Sequence, residues 1–144
     1  MHTIAFTGPT ELSPLQEAYV RRSVAGLRAD RFVSGCAYGV DTQSMLSLWQ
    51  EFLVPAEYVL TIPKGNWHNA GLAYLGATNG WTLEYINGGY MARNSRTVEL
   101  ADELHAFPET PVPVLRSGTW ATIRRAERKG IPVIYHPLNH ACVQ

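Results

Sequence analysis

Four short stretches of this 144-residue chain carry side chains and backbone suited to holding a negative charge. They are Thr7-Gly8-Pro9-Thr10, the run Ser34-Gly35-Cys36-Ala37-Tyr38-Gly39-Val40-Asp41, the pair Arg93-Asn94, and Arg116-Ser117-Gly118-Thr119. Glycine lets a phosphate or sugar approach the backbone and bares the N–H groups there. A helix that begins at such a point adds unpaired donors and a partial positive charge. Arg93 and Arg116 offer bidentate contacts, and Ser34, Ser117 and Thr119 offer hydroxyl donors. Taken singly, each stretch is also what an ordinary strand-to-helix turn requires. None matches the dinucleotide G-x-G-x-x-G or the Walker G-x-x-x-x-G-K-[ST] pattern. A shared anion site therefore follows only if the four are brought to one place.

The elements between them bring that about. Near-continuous apolar runs at Thr3–Thr7, Arg31–Ser34, Tyr58–Ile62 and Ile131–Tyr135, with a weaker one at Glu103–Phe107, read as strands buried on both faces. Helical spacing separates them. Ser13-Pro14-Leu15-Gln16 is a capping box with proline at the first helical position, followed by the stripe Leu15, Tyr19, Val20, Val24 and Leu27. A second helix opens at Asp41, read as its N-cap, with Val40 and Met45 as a hydrophobic staple. Met45, Leu48, Trp49, Phe52 and Leu53 then continue at helical spacing. A third helix runs from about Tyr90 to Ala101. The last runs from about Thr119 to Lys129 and stops at Gly130, with Pro132 beyond.

Alternation of this kind predicts a Rossmann-like α/β three-layer sandwich with a mainly parallel sheet of about five strands, spanning residues 1–144 as one domain. In such sheets the ligand crevice lies beyond the carboxyl ends of the strands. Three of the four stretches follow strands, and Arg93-Asn94 stands in the first turn or so of the third helix. The segment from Pro63 to Gly89 reads as a short helix plus an extra strand at Trp81–Ile86, or as a mobile lid.

Composition narrows the function classes. Twelve basic and twelve acidic residues cancel, so no global field draws the chain to nucleic acid or membrane, and anion binding must be local. Only Lys64 and Lys129 among the basic residues are lysine. No apolar run approaches a bilayer span, and the chain enters a strand at once without a basic and apolar leader. Cys36 and Cys142 are too few and too distant for a disulfide scaffold. A reduced, cytoplasmic protein is expected. His136, His140 and Cys142 have a metal-like spacing, but Pro137 interrupts them and a solvated tail is the better reading, so no metal and no cofactor are expected. Cys36, near a helix start, reads either as an acidified thiol or, better, as a small buried side chain. Lys64 and Trp67 suit a phosphate and a base, or a plain loop lysine and a packing ring.

The motifs also carry a resemblance. "SGCAYGVD" resembles the S-G-x-A-x-G-[IV]-D pattern of the SLOG superfamily, which joins the DNA-processing protein A family with the Lonely-guy enzymes. "MARNSRTVELAD" is similar to the R-N-containing helix that follows in the same families, and "RSGTWATIRRAERKGIPVI" to their closing G-T…G-x-P-V element. "IPKGNWHNAG" is similar to a tryptophan-containing stretch of small single-domain members. The likeness runs in order from Phe6 to Tyr135. It implies a Rossmann-like sheet binding a nucleotide or nucleotide-derived molecule, in a dimer or higher homo-oligomer. Carried over by position, the site takes in Gly8, Ser34, Gly35, Gly39, Asp41, Arg93, Asn94, Ser117, Gly118 and Thr119.

The same resemblance raises the question of turnover. Lonely-guy enzymes cleave an N-glycosidic bond with an arginine and a glutamate that follows P-G-G-x-G-T. Here Arg93 stands at the arginine, but no carboxylate follows Gly118-Thr119, and Pro108–Leu115 replaces the Pro-Gly-Gly lead-in. Asp41 is the substitute acid, a role in tension with its reading as a helix cap. The catalytic candidates are thus Arg93 and Asp41, and the leading expectation is a sensor or sequestering module without turnover. Its ligand meets Thr7, Gly8, Pro9, Gly35, Lys64, Trp67, Arg93 and residues 117–119. A phosphoribohydrolase is the alternative. Single-stranded DNA binding is the third reading: Trp67, Trp81, Tyr85 and Tyr90 supply rings, while the neutral, lysine-poor composition disfavours it.

Overall fold

A computed structural model of the chain describes residues 1–51, 55–115 and 117–143, with residues 142 and 143 described by backbone alone. Its strands are β1 (Thr3–Thr7), β2 (Arg31–Ser34), β3 (Glu57–Pro63), β4 (Thr82–Ile86), β5 (Glu103–Ala106) and β6 (Val133–Tyr135). Its helices are α1 (Pro14–Val24), α2 (Val40–Glu51), α3 (Ala70–Thr78), α4 (Gly89–Leu100) and α5 (Gly118–Lys129), with a 3-10 helix at Leu138–Val143. The strands form one six-stranded sheet in the order β4-β3-β2-β1-β5-β6, and every pairing is parallel. The sixth strand is the extra one at Thr82–Ile86. The uncertain segment is therefore a helix and an edge strand, not a lid.

Parallel pairing hides both faces of the sheet, which is why its central strands are apolar throughout. β1 is buried at every position, as is β3 after its first residue. One face lies under α1, α2, α3 and the 3-10 helix; its core includes Phe6, Val20, Phe32, Met45, Leu60 and Leu138. Across it four rings step from strand to strand: Phe6 to Phe32 at 6.1 Å, Phe32 to Tyr58 at 5.8 Å, and Tyr58 to Trp81 at 5.0 Å. The opposite face takes α4 and α5, with Val33, Val59, Val98, Leu104, Trp120 and Ile123 between the layers. The strand order turns about at β1, so the crevice expected of such a sheet lies beyond the ends of β1 and β5.

Local signals explain most helix ends. Ser13 Oγ accepts from Gln16 N at 3.2 Å while Gln16 Oε1 accepts from Ser13 N at 2.9 Å, the capping box read from sequence. Gly130 closes α5 in the left-handed conformation. Two expectations need correction. Leu15, placed on the buried stripe of α1, is 62% exposed; Val20 and Val24 carry that face instead. Asp41 does not cap α2: the helix starts one residue before it, and its carboxylate reaches back out of the helix. Phe52 and Leu53, the end of the α2 stripe, lie outside the described residues.

The C-terminal turn is fastened through a row of titratable groups on the α1 face. His2 Nε2 lies 2.8 Å from Glu103 Oε1, His105 Nε2 lies 2.7 Å from Glu103 Oε2, and His105 Nδ1 lies 2.9 Å from His136 Nε2. A carboxylate only accepts, so His105 Nε2 donates to it. His136 stacks on Phe107 at 4.7 Å. Burial, and then the charge of His105, push the His136 pKa down to about 4. The native state thus refuses a proton that the unfolded chain takes near pH 6.5. This contribution to stability is complete above that pH and is lost as pH falls toward 4. Urea unfolding at pH 7 and pH 4.5 should show a smaller acid loss for His136→Phe, which keeps the stacking, than for wild type.

Candidate functional site

The ends of β1, β2 and β5 and the starts of α4 and α5 enclose a cavity of about 720 Å³, within the range of small-molecule sites. Of the predicted residues, Thr7, Gly8, Pro9, Gly35, Asp41, Trp67, Arg93, Asn94, Ser117, Gly118 and Thr119 line it together. Ser34, Gly39 and Lys64 do not. Ser34 is fully buried, and its hydroxyl has no partner among the described residues. Gly39 (φ +74°) is pressed against the backbone of Pro9 and Thr10, where a Cβ would collide. Lys64 is exposed beyond β3, its amide donating to Ile86 O at 2.8 Å. Arg116, the second expected guanidinium, lies outside the described residues.

Many backbone polar groups of the glycine-rich stretch after β2 are engaged inside the protein. Asp41 accepts from Ala37 N at 3.2 Å and from the Gly35 amide. Asn69 N donates to Cys36 O at 2.9 Å, and Thr42 Oγ1 donates to Ala37 O at 2.7 Å. From the other side Arg93 Nη1 donates to Gly35 O. Its Nε donates to Asn94 Oδ1 at 2.8 Å. Arg93 is buried, and a Cβ on Gly35 would stand 2.6 Å from Nη1, so only glycine admits the guanidinium. Cys36 takes the left-handed conformation (φ 60°) within this clamp. Burial, reinforced by the charge of Asp41, pushes its thiol up to about 12. The acidified-thiol reading is therefore wrong, and Cys36 is a small buried side chain.

Asp41 shows the cost of such a clamp. Burial raises its carboxyl to about 6, although Arg93 and the amides of Ala37 and Gly35 pull it down. The native state binds this proton more tightly than the unfolded chain, whose carboxyl titrates near 4. Asp41 therefore contributes stability that is complete below about pH 4 and lost as pH rises through about 6, opposite in sign to His136.

The α5 side is open. Ser117 Oγ accepts from Trp120 N at 3.2 Å, which leaves the Gly118 and Thr119 amides as first-turn donors outside the helix ladder. A Cβ built on Gly118 would meet nothing within 4 Å, whereas one on Gly8 would strike Val40. Gly8 is thus a packing glycine, and Gly118 faces open space. Trp67 and Tyr90 bring aromatic rings to the same cavity. Trp67 is 67% exposed and lies against Tyr38 at 4.9 Å, with planes 32° apart. Tyr90 OH donates to Trp67 O at 3.2 Å, and the Arg93 guanidinium carbon lies 5.6 Å from the Tyr90 ring.

Sequence reasoning singled out the loop holding Thr10 but missed Glu109, Thr110, Val114 and Thr122 as lining residues. The strand-end rule that selected the other loops applied equally to Glu109 and Thr110, which follow β5 at the same edge. Of the charged side chains among the described lining residues, Arg93 is basic and Asp41 and Glu109 are acidic.

No protein-family model matches the chain, and no curated protein does. Among solved structures it is similar to DNA processing protein A (DprA) from Streptococcus pneumoniae, with a TM-score of 0.71 and 21% sequence identity over 93% of this chain. The chain spans 50% of that structure's length. At this identity the likeness establishes the fold, which is the DprA-like, Rossmann-like fold that the SLOG resemblance implied.

Removing the guanidinium should leave Asp41 and the Gly35 carbonyl buried without their partner. Arg93→Ala is expected to lower unfolding stability by roughly 3 kcal/mol or more. It should also raise the Asp41 pKa further. Asp41→Asn should instead flatten the fall in stability between pH 4 and pH 6. Denaturant melts across pH check both.

Proposed function

We propose that the cavity binds a nucleotide or nucleotide-derived ligand, with a phosphate at the start of α5 and the base against Trp67. The observation that carries this reading is the contrast among the glycines. Gly8, Gly35 and Gly39 are required by internal packing, and Gly118 alone of these four is uncrowded where a helix N-terminus meets the cavity. The Gly118 and Thr119 amides supply donors and a partial positive charge, and the Thr119 hydroxyl and the Thr7–Thr10 loop stand beside them. The exposed Trp67 ring, backed by Tyr38, offers a stacking surface.

Binding without turnover is the reading the side chains favour. The Asp41 carboxylate is held by loop amides and Arg93 by the Gly35 carbonyl, so both catalytic candidates brace the loop. Release of free base from nucleoside monophosphates, abolished by Asp41→Asn, would establish the hydrolase in its place. Self-association belongs to the same proposal, as the SLOG resemblance implies, and light scattering of the purified protein checks it.

A second reading has its own support. The fold is that of a DNA-processing protein, and Tyr38, Trp67 and Tyr90 form an exposed aromatic group at the cavity mouth. In this reading one nucleotide of a single strand occupies the same cavity. Among the described lining residues Arg93 alone is basic, so few phosphates are engaged and the salt dependence of oligonucleotide binding should be shallow.

Native mass spectrometry of freshly purified protein should reveal a co-purifying nucleotide. Gly118→Val introduces a side chain only into open space, so the fold should survive. Nucleoside monophosphates should raise the melting temperature of wild type and leave that of Gly118→Val unchanged. Trp67→Ala should weaken binding by about tenfold, as expected for loss of one stacking surface. An equal thermal shift in Gly118→Val and wild type would place the phosphate elsewhere.

A further inference from the structure

Helix α5 turns Trp120, Ile123 and Ala126 into the core and carries Arg124, Arg125, Arg128 and Lys129 against a single acidic residue, Glu127. The whole chain is neutral, so this helix concentrates positive charge on one surface. Two of its four basic groups are committed. Arg124 donates to Leu115 O at 3.2 Å. Lys129 Nζ donates to the carbonyls of Val98, Glu99 and Ala101 at 3.0, 2.8 and 2.7 Å, closing the C-terminal end of α4. Arg125 and Arg128 make no hydrogen bond or ion pair with any of the described residues, although Arg125 is half-buried.

Both line a surface groove of about 350 Å³ between α4 and α5, with Val98, Ser95 and Glu99 across from them. Their spacing of three residues sets the two guanidiniums on one face of the helix. Arg96 already pairs with Glu99 at 2.8 Å, which leaves Glu99 balanced. A half-buried guanidinium without a partner is an unbalanced charge, and its planar fork matches a carboxylate. The lining contains no aromatic ring on which a base could stack, and Glu99 at its edge opposes a continuous phosphate backbone.

We propose that the groove between α4 and α5 docks an acidic segment of a partner protein. Two of its carboxylates engage Arg125 and Arg128. This surface is distinct from the nucleotide cavity and stands whether or not that cavity binds a nucleotide.

Fluorescence anisotropy on the full chain tests it, with a short labelled peptide of Glu and Leu, its Gln-for-Glu counterpart, and a single-stranded oligothymidine. The acidic peptide should bind, weakening about tenfold as salt is raised from low to above physiological strength, and the Gln peptide should not. Arg125→Glu with Arg128→Glu should abolish binding of the acidic peptide and confer binding of a Lys-for-Glu version. Arg125→Gln with Arg128→Gln, milder in case charge reversal disturbs α5, should lose the acidic peptide while melting as wild type does. The proposal is overturned by undiminished binding to either double variant, by failure of the acidic peptide to bind, or by oligothymidine binding more tightly through the same arginines.

Discussion

The architecture of the cavity depends on one short loop being gripped from two sides. Residues 35–37 leave β2 with Arg93 holding a carbonyl on one flank and Asp41 holding amides on the other. The two charged groups are buried and belong to different helices, on opposite faces of the sheet. Neither is well solvated: Asp41 is met by loop amides, and Arg93 by the Gly35 carbonyl and the Asn94 side chain. That arrangement fixes where α2 and α4 begin relative to the sheet edge. The adjoining floor of the site follows from it: Gly8 packs against Val40, and Gly39 against Pro9.

A consequence is a division of labour between two kinds of glycine turn. The loop after β2 is knitted to Pro9 and to Asn69, and its Gly35 and Ala37 amides are held by Asp41. The start of α5 is not knitted in this way. The cavity thus has one wall whose backbone groups are engaged within the protein and another, the start of α5, where the Gly118 and Thr119 amides stand outside the helix ladder. The charge count agrees: among the described lining residues Arg93 is offset by Asp41 and Glu109.

Much of this was readable in the chain itself. Apolar runs located five of the six strands, the capping box at Ser13 was correct, and the strand-end rule gathered most of the cavity lining. The sixth strand was legible only as one of two options, since its alternation is shallow and it sits at an edge. What could not be read was which backbone groups were already spent. Gly35 and Gly118 look equivalent in a sequence, yet one packs under a guanidinium and the other faces open space. That difference is set by Arg93, nearly sixty residues from Gly35 along the chain. The capping role given to Asp41 failed for the same reason: a carboxylate near a helix start can satisfy the loop before it as readily as the turn after it. Lys64 was judged by its position after β3, although the distance of that strand from the turn-about at β1 argued against it.

The place of β5 in the sheet also bears on how the chain comes together in time. β1 bonds to β2 on one side and to β5 on the other, and Thr7 meets Ala106 across about a hundred intervening residues. During synthesis the first strand therefore waits with one edge bare until most of the chain has emerged. Closing so long a loop is entropically slow, and a bare apolar edge invites neighbouring chains to bind it. Nascent copies crowded on one message are thus most vulnerable in the interval before the fifth strand arrives.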